Sequence, residues 1–491
     1  MVFTPFLELS TMRIDRRPNS RKTLLCLLLL TAGALCACGG GPDDSAIFDD
    51  GNRHPNNWQR IRVTQLDENG STLPFVTARQ ASNGNVHIAF YNADTGSDGT
   101  LYHRLLHLVW DPASQNLTRN IVDNRPAPSG VNGFDRCDQF DFMLDADNTP
   151  IFIYPTYEVN PVLQQVEADI MVNLYESGHW YETTGAVGYV DRNPVYQDGH
   201  ATENMSMAVD RQGNIHFCYQ YYTEGMDSAN FRYPDLYYAM RQRSTIHEPI
   251  SAIEAYATIE ELVDGNAFST YGDHNSVGYF CKLILDENDQ PYIFYAEHGE
   301  DFMGTFALKV AYKNASGQWR QQVIETLDDG WEIDGLSAAL YPPENDPQGA
   351  DEQATARPMA VAYGIRVPSP EPDNGHHLRF ATNRDGDWVS EIVDESTWCG
   401  SRCSLAIDAN RIPAIAYFDE QSHSGRLHQF LKYAEFSGLR WITESVDEYG
   451  DVGRYNTLWF NGGEIPTICT FSDEDNDILI IRQTNRIVSE E

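Results

Sequence analysis

The chain is poor in positive charge. Its 491 residues carry 34 Lys+Arg against 72 Asp+Glu, a formal net charge of −38, and only five are lysines. A nucleic-acid binder needs a basic stripe to meet phosphates, and a membrane-surface patch needs clustered Lys and Arg, so both classes are excluded. Long apolar runs are scarce too. The run from Leu24 to Leu35 has 12 residues, well short of the ~20 that span a bilayer as a helix. There is no Gly-rich phosphate loop, no Gly-x-Ser-x-Gly elbow between a strand and a helix, and no Cys/His spacing of a zinc site. Nucleotide, α/β-hydrolase and zinc chemistry therefore have no motif here. Helical periodicity is missing as well. What is present is 41% apolar and 12% aromatic residues, ample for one large all-β domain or two to three ordinary ones.

The N-terminus reads as an address. Arg13, Arg16, Arg17, Arg21 and Lys22 precede the short apolar run, the order of a secretory signal. Then comes Leu35-Cys36-Ala37-Cys38-Gly39-Gly40, which resembles the lipobox of bacterial lipoproteins. The resemblance implies that residues 1–37 are removed and that Cys38 takes the lipid. The protein is then exported and lipid-anchored to the bacterial outer membrane or cell surface. Gly39 in place of Asp is compatible with the outer membrane in that family. Residues 38–57, rich in Gly, Asp, Asn and Pro, read as a flexible tether. Beyond residue 37 the chain has 29 basic and 70 acidic residues, a net charge of −41.

The remainder repeats itself. The clearest copy runs Ser404-Leu-Ala-Ile-Asp408 into Pro413-Ala-Ile-Ala-Tyr417-Phe418, then Leu431-Lys-Tyr-Ala434 and Gly438-Leu-Arg-Trp441. Further copies start at Ser206, Leu283 and Asp141, and weaker ones near Leu73, Gly335 and Tyr455. The copies share period-2 alternation, and the fuller ones add a turn at a recurring Asp and a Trp opening the last strand. The seventh copy ends without its Trp strand, whereas the chain opens with Asn57-Trp58-Gln-Arg-Ile-Arg-Val63. The expectation is an all-β, seven-bladed β-propeller over 58–485 whose last blade is closed by the N-terminal strand, with a tail at 486–491. Closing the ring removes exposed sheet edges.

These copies resemble the bacterial propellers with BNR or sialidase-like repeats. The sialidase Asp-box, Ser-x-Asp-x-Gly-x-x-Trp, is incomplete here: the corresponding turns read Asn314-Ala-Ser-Gly-Gln-Trp319 and Asn383-Arg-Asp-Gly-Asp-Trp388. No hydrolase activity is carried over through it, and no specific enzyme family is matched.

Propellers bind at one end of the central channel, so candidate ligand-binding residues lie in loops that lead into the first strands. They are Arg136, Asp138, His200, Glu203, Tyr271, His274, Arg402 and Arg454, with Asp273 beside them. Loops after the second strands add Tyr221, Tyr222, Glu297, His298, His376, His377 and Asp419. Arg pairs a carboxylate bidentately, Tyr stacks on a sugar face, and His or Glu moves a proton. No catalytic set can be named. Asp473, Asp475 and Asp477 have the alternate oxygens of a short calcium loop but also the composition of a hairpin turn. No other cofactor is expected. Cys399 and Cys403 could close a small loop, while Cys218 and Cys469 read as small buried apolar residues.

The resulting expectation is a cell-envelope lipoprotein whose propeller binds or scaffolds a glycan or an envelope protein, held to the membrane by its lipid. The alternative is a surface enzyme, either a sialidase-like hydrolase or a uronate lyase. In it Arg136, Arg402 and Arg454 clamp the sugar acid and His200 or His274 carries the proton. A purely structural envelope protein is a third reading, separated from both by the absence of a ligand pocket.

Overall fold

The structure is a computed structural model that describes residues 57–65, 71–95, 100–124, 140–160, 165–189, 204–222, 234–245, 259–265, 276–298, 307–328, 330–343, 357–367, 376–396, 399–400, 402–423, 426–448 and 451–484. Among them, 28 strands form seven antiparallel sheets of four. The first strand, β1 (Trp58–Gln65), belongs to the last sheet. Blade 1 is β2 (Ser71–Gln80), β3 (Val86–Thr95), β4 (Leu101–Trp110) and β5 (Leu117–Asp123). Blade 2 is β6 (Asp141–Leu144), β7 (Pro150–Asn160), β8 (Gln165–Glu176) and β9 (His179–Tyr189). Blade 3 is β10 (Met205–Val209), β11 (Ile215–Tyr222), β12 (Pro234–Arg241) and β13 (Ile259–Asp264). Blade 4 is β14 (Ser276–Leu285), β15 (Pro291–His298), β16 (Ala307–Lys313) and β17 (Trp319–Thr326). Blade 5 is β18 (Glu332–Leu340), β19 (Met359–Arg366), β20 (His376–Thr382) and β21 (Val389–Asp394). Blade 6 is β22 (Ser404–Ile407), β23 (Pro413–His423), β24 (Arg426–Phe436) and β25 (Trp441–Asp447). Blade 7 is β26 (Val452–Asn461), β27 (Ile465–Ser472) and β28 (Asp477–Gln483), with β1 as its outer strand.

This is the expected seven-bladed propeller, and the expected closure holds. β1 pairs antiparallel with β28 from Trp58↔Gln483 to Gln65↔Asp477. Arg60 and Arg62 of β1 reach Asp475, each at 2.7 Å, and Arg62 lies 3.6 Å from Asp477. Two of the three carboxylates proposed for calcium thus face arginines of the closing strand. Trp58 donates its indole N–H to Glu444 of blade 6 at 3.1 Å.

The core lies between the blades. Among the described residues seven apolar clusters are found, and each draws on two neighbouring blades, from blades 1 and 2 (Phe142, Phe152 with Leu105) round to blades 7 and 1 (Ile478, Ile480 with Ile88). A second strand is therefore covered on both faces, which is why Ile151–Tyr154 and Ala360–Tyr363 are buried without alternation. Each such Leu, Ile or Phe removed from water contributes about 1.5–3 kcal/mol.

Three repeated residues explain the sequence pattern. The recurring Asp closes the first hairpin: Asp145, Asp210, Asp286 and Asp408 each accept two backbone N–H groups of the turn. The recurring Trp reaches back to an acid on the outer strand of the previous blade, as in Trp319 to Glu261 (2.7 Å) and Trp441 to Glu391 (3.0 Å). The recurring Tyr of the second strand donates to an acid at the blade joint: Tyr295 to Asp264, Tyr363 to Glu325 and Tyr417 to Asp394. Directly across the ladder from those three tyrosines stand Lys309, Arg379 and Lys432, each paired to the same acid. Among the described cysteines, Cys218, Cys281, Cys399, Cys403 and Cys469 are all free and buried. Cys399 and Cys403 are not bridged; the Cys399 thiol donates instead to the carbonyls of His376 and Asp394.

Candidate functional site

The register defines one structural position in every blade. On each inner strand it is the residue paired with the one just before the recurring second-strand Tyr, or its counterpart in blades 1 and 7. Thr77↔Ala89, Asp141↔Ile153, Ser206↔Cys218, Lys282↔Phe294, Ser337↔Ala362, Ser404↔Ala416 and Thr457↔Cys469 occupy it. All except Ser206 line a channel cavity of about 1070 Å³. Five of the seven are hydroxyl residues, and their role is a belt between blades. The hydroxyls of Ser337, Ser404 and Thr457 accept the backbone N–H of Leu405, Leu458 and Ala78 in the next blade round.

Blades 2 and 4 break the belt with charge. Asp141 accepts from Phe142 N (2.9 Å), Met207 N (3.1 Å), Ser206 Oγ (3.2 Å), Arg79 Nη2 (3.2 Å) and Lys282 Nζ (3.4 Å). Burial opposes ionisation of this carboxyl. Lys282, Arg79 and the two backbone N–H groups outweigh that and hold it below the usual carboxylate range. Arg79 is itself fixed by Ala78 O (2.8 Å), Thr77 Oγ1 (3.1 Å) and the Phe142 ring beneath it.

Two residues before the belt, next to the bulges of the inner strands in blades 1, 4, 5 and 7 and just ahead of the strands in blades 3 and 6, lies the channel mouth. Phe75, Asn204, Phe280, Gly335, Arg402 and Tyr455 hold that position and line the cavity. The Arg402 guanidinium sits 4.9 Å over the Tyr455 ring; Tyr455 meets Phe75 at 5.2 Å, and Phe75 meets Phe140 at 4.9 Å. This arc runs unbroken through blades 6, 7, 1 and 2. Opposite it, Tyr279 stacks on His298 with centroids 4.0 Å apart and planes 9° from parallel. Burial lowers His298 to about 4 and raises Tyr279, so both are neutral at pH 7. Phe280 and Arg402 adopt φ of 55°, where blade 5 has Gly335. A left-handed Phe or Arg costs on the order of 1 kcal/mol or more.

Of the sequence candidates, Arg402 is in the channel. Arg454 is exposed and outside the cavity lining, near enough to Asp473 to favour its charge, although burial leaves that carboxyl raised overall. Arg136, Asp138, His200, Glu203, Tyr271, Asp273, His274 and Cys38 lie outside the described residues. So do the side chains of Tyr221 and Tyr222. Glu297 and Asp419 serve the joints, on Lys309 (2.6 Å) and Lys432 (2.9 Å). His376 lies 3.3 Å from Asp334, a channel residue, and His377 stacks on Trp331. Among the described residues, no group of three His, Cys, Asp or Glu is arranged to hold a metal ion. The loop-based reading missed Arg79, Asp141 and Lys282. Aligning the copies on their first strands puts Thr77, Asp141, Ser206, Lys282, Ser337, Ser404 and Thr457 in one column. The two charged exceptions then stand out.

No protein-family model matches the chain, and no curated protein matches it. Solved structures do. One is an ulvan lyase of polysaccharide lyase family PL25, with 8% identity and TM-score 0.48, covering 85% of this chain and 94% of that one. Another is the Hadza microbial sialidase Hz136, with 12% identity and TM-score 0.40, covering 78% and 73%. A third is the Penicillium chrysogenum α-L-arabinanase complexed with arabinobiose, with 10% identity and TM-score 0.41, covering 87% and 96%.

Proposed function

We propose that the protein is a saccharide-binding propeller, anchored at the cell envelope through Cys38, that holds its ligand at the mouth of the channel. The observation that carries this is the arc Arg402–Tyr455–Phe75–Phe140 on the cavity wall. Aromatic rings offer apolar faces to the C–H surface of a sugar, and guanidinium and phenol groups at the edge bind its oxygens. Strained Phe280 and Arg402 support the same mouth, because strain tolerated where blade 5 uses glycine is retained for contact with something. The carboxylate in the channel wall, Asp141, is saturated with donors, which suits a wall element better than a proton carrier.

The test is a glycan-array screen of the full chain, with calcium and again with chelator, followed by assay of each bound glycan for cleavage. Binding without product is the expected result, and an Arg402→Ala variant should lose it. Silence across the array would sink the saccharide reading and turn attention to a protein partner. The Tyr279–His298 stack favours a second reading, elimination on a uronate-containing chain. There neutral His298 would take the proton next to the sugar carboxylate, the carbon–carbon double bond would form as the glycosidic C–O bond breaks, and that proton would be passed, directly or through water, to the oxygen that leaves as an alcohol. An unsaturated product that disappears in His298→Ala would establish it. For the anchor, Cys38→Ala should move the protein out of the membrane fraction.

A further inference from the structure

The four lysines beyond the signal-like segment are not equivalent. Lys309, Lys313 and Lys432 each lie within 2.9 Å of a carboxylate, and Lys309 and Lys432 have two acids apiece. Lys282 stands 3.4 Å from its carboxylate, Asp141, and shares it with Arg79. Asp141 already receives three shorter neutral hydrogen bonds. Two cations therefore answer one carboxylate that is close to saturated. The cations retain 23% and 27% side-chain exposure against 9% for the acid, so the excess positive charge faces the cavity.

Coulomb attraction to the acid alone does not explain that arrangement. A single cation balances a single buried carboxylate, and a second one adds desolvation without a partner of its own. An oxyanion in the channel would give it one. The molecule carries a formal net charge of −38, so a cation excess enclosed by low-dielectric walls is a favourable place for an anionic ligand to meet it. Lys282 is in the belt and Arg79 lies two residues beyond it on its own strand, so both line the cavity deeper than the saccharide site proposed above.

We propose that Lys282 and Arg79 form an acid-selecting subsite, which receives a carboxylate or sulfate carried by the sugar held at the mouth, with Asp141 fixing both cations in place. This rests on the saccharide reading and names the class of sugar. The ammonium hydrogens of Lys282 not directed at Asp141 donate to the oxyanion, and Arg79 supplies the second charge.

The experiment titrates the full chain with three matched oligosaccharides, neutral, uronate-bearing and sulfated, and separately with sodium glucuronate and sodium sulfate. Wild-type protein should prefer a charged oligosaccharide over the neutral one at least tenfold, or about 1.4 kcal/mol. The preference of uronate over sulfate, or the reverse, identifies which oxyanion fits. Lys282→Gln should bind charged and neutral forms alike, Lys282→Arg should keep the preference, and Arg440→Gln on the exposed rim should change nothing. Thermal unfolding checks that each variant is folded. Equal binding of charged and neutral saccharides by wild-type protein would overturn the subsite and leave the saccharide reading intact. Glucuronate or sulfate binding that is lost in Lys282→Gln, with no saccharide bound, would do the opposite. Failure of both free anions and of every charged saccharide to bind would overturn the subsite outright.

Discussion

The joints between blades and the wall of the channel use cations in opposite ratios. In the joints between blades 3 and 4 and between blades 5 and 6, a cation meets an excess of acid: Lys309 lies between Asp264 and Glu297, and Lys432 between Asp394 and Asp419. In the channel, Arg79 and Lys282 share Asp141. Joint cations hold buried acids down, and nothing is left over for a ligand. Channel cations are left over. The same residue types therefore build architecture in one place and a binding surface in the other, and only the local count of partners separates them.

The contrast should break hardest at Lys432. Replacing it with Met leaves Asp394 and Asp419 in a joint where Asp419 is fully buried. Removing one partner of a buried ion pair costs about 3–5 kcal/mol. Urea unfolding should show that loss, while saccharide affinity measured below the transition stays unchanged. A loss below about 1 kcal/mol would mean the joint is no tighter than a surface pair.

The joint between blades 1 and 2 sharpens the comparison, because away from the Arg79–Asp141 pair at the channel it buries an uncharged pair of histidines. His87 and His107 face each other at 3.0 Å, packed against Phe152 and Trp180. Burial lowers His87 to about 4; burial and then the neighbouring His87 lower His107 to about 3. Both are neutral when folded at pH 7. Below pH 6.5 the unfolded chain takes up protons that the folded chain refuses, so stability falls by about 1.4 kcal/mol per pH unit for each such histidine. The loss starts at 6.5 and ends near 4 for His87 and near 3 for His107. Asp394 behaves differently: burial resists its charge, but Tyr417, Ser396 and Lys432 hold it below its ordinary 3.8, so the stability it adds is lost only under more acid conditions. Unfolding between pH 6.5 and 5 thus probes the neutral histidine pair and spares the ionic joint. His298 and His216 titrate in the same direction, so the difference between wild type and His107→Phe isolates the pair. That variant should show the shallower slope, and identical slopes would remove the pair from the account.

Fold and site were not equally legible in the sequence. Asp at the first turn, Tyr on the second strand and Trp on the fourth each do the same mechanical work in several blades, so repetition announces them. The closing strand was legible for the same reason, since Trp58 is a fourth-strand Trp without its own first three strands. A site has no such redundancy. Asp141 and Lys282 differ from five hydroxyl residues in their column, and Arg79 joins them only because blade 1 packs against blade 2. Loop residues were the obvious candidates because they were polar, but polarity in a loop is what solvation alone requires. Of them Arg402 alone, among the described residues, reaches the cavity from the loops leading into first strands.

Lys282→Met should cost little, because Asp141 keeps Arg79 and its three neutral hydrogen bonds. About 1 kcal/mol is expected for the loss of a partly exposed pair. A loss comparable to that of Lys432→Met would show the channel lysine to be a joint cation after all.

The smallest effect on stability is expected from Arg402→Gly, and it separates strain from contact. Arg402 holds φ at 55°, and the equivalent residue of blade 5, Gly335, is also left-handed at 104°. Glycine enters that region without the Cβ clash, which returns about 1 kcal/mol, but it loses chain entropy and the cation–π contact with Tyr455, together about the same. The net change should stay within about 1 kcal/mol, a shift of a few degrees at most in Tm for a domain of this size. Saccharide binding, by contrast, should fall several-fold, since the guanidinium at the end of the aromatic arc is gone. If binding is retained while stability drops, Arg402 belongs with the joints, as a brace on Tyr455. If binding falls at constant stability, the left-handed arginine is held there for the ligand, and the strain marks the mouth as the working end of the channel.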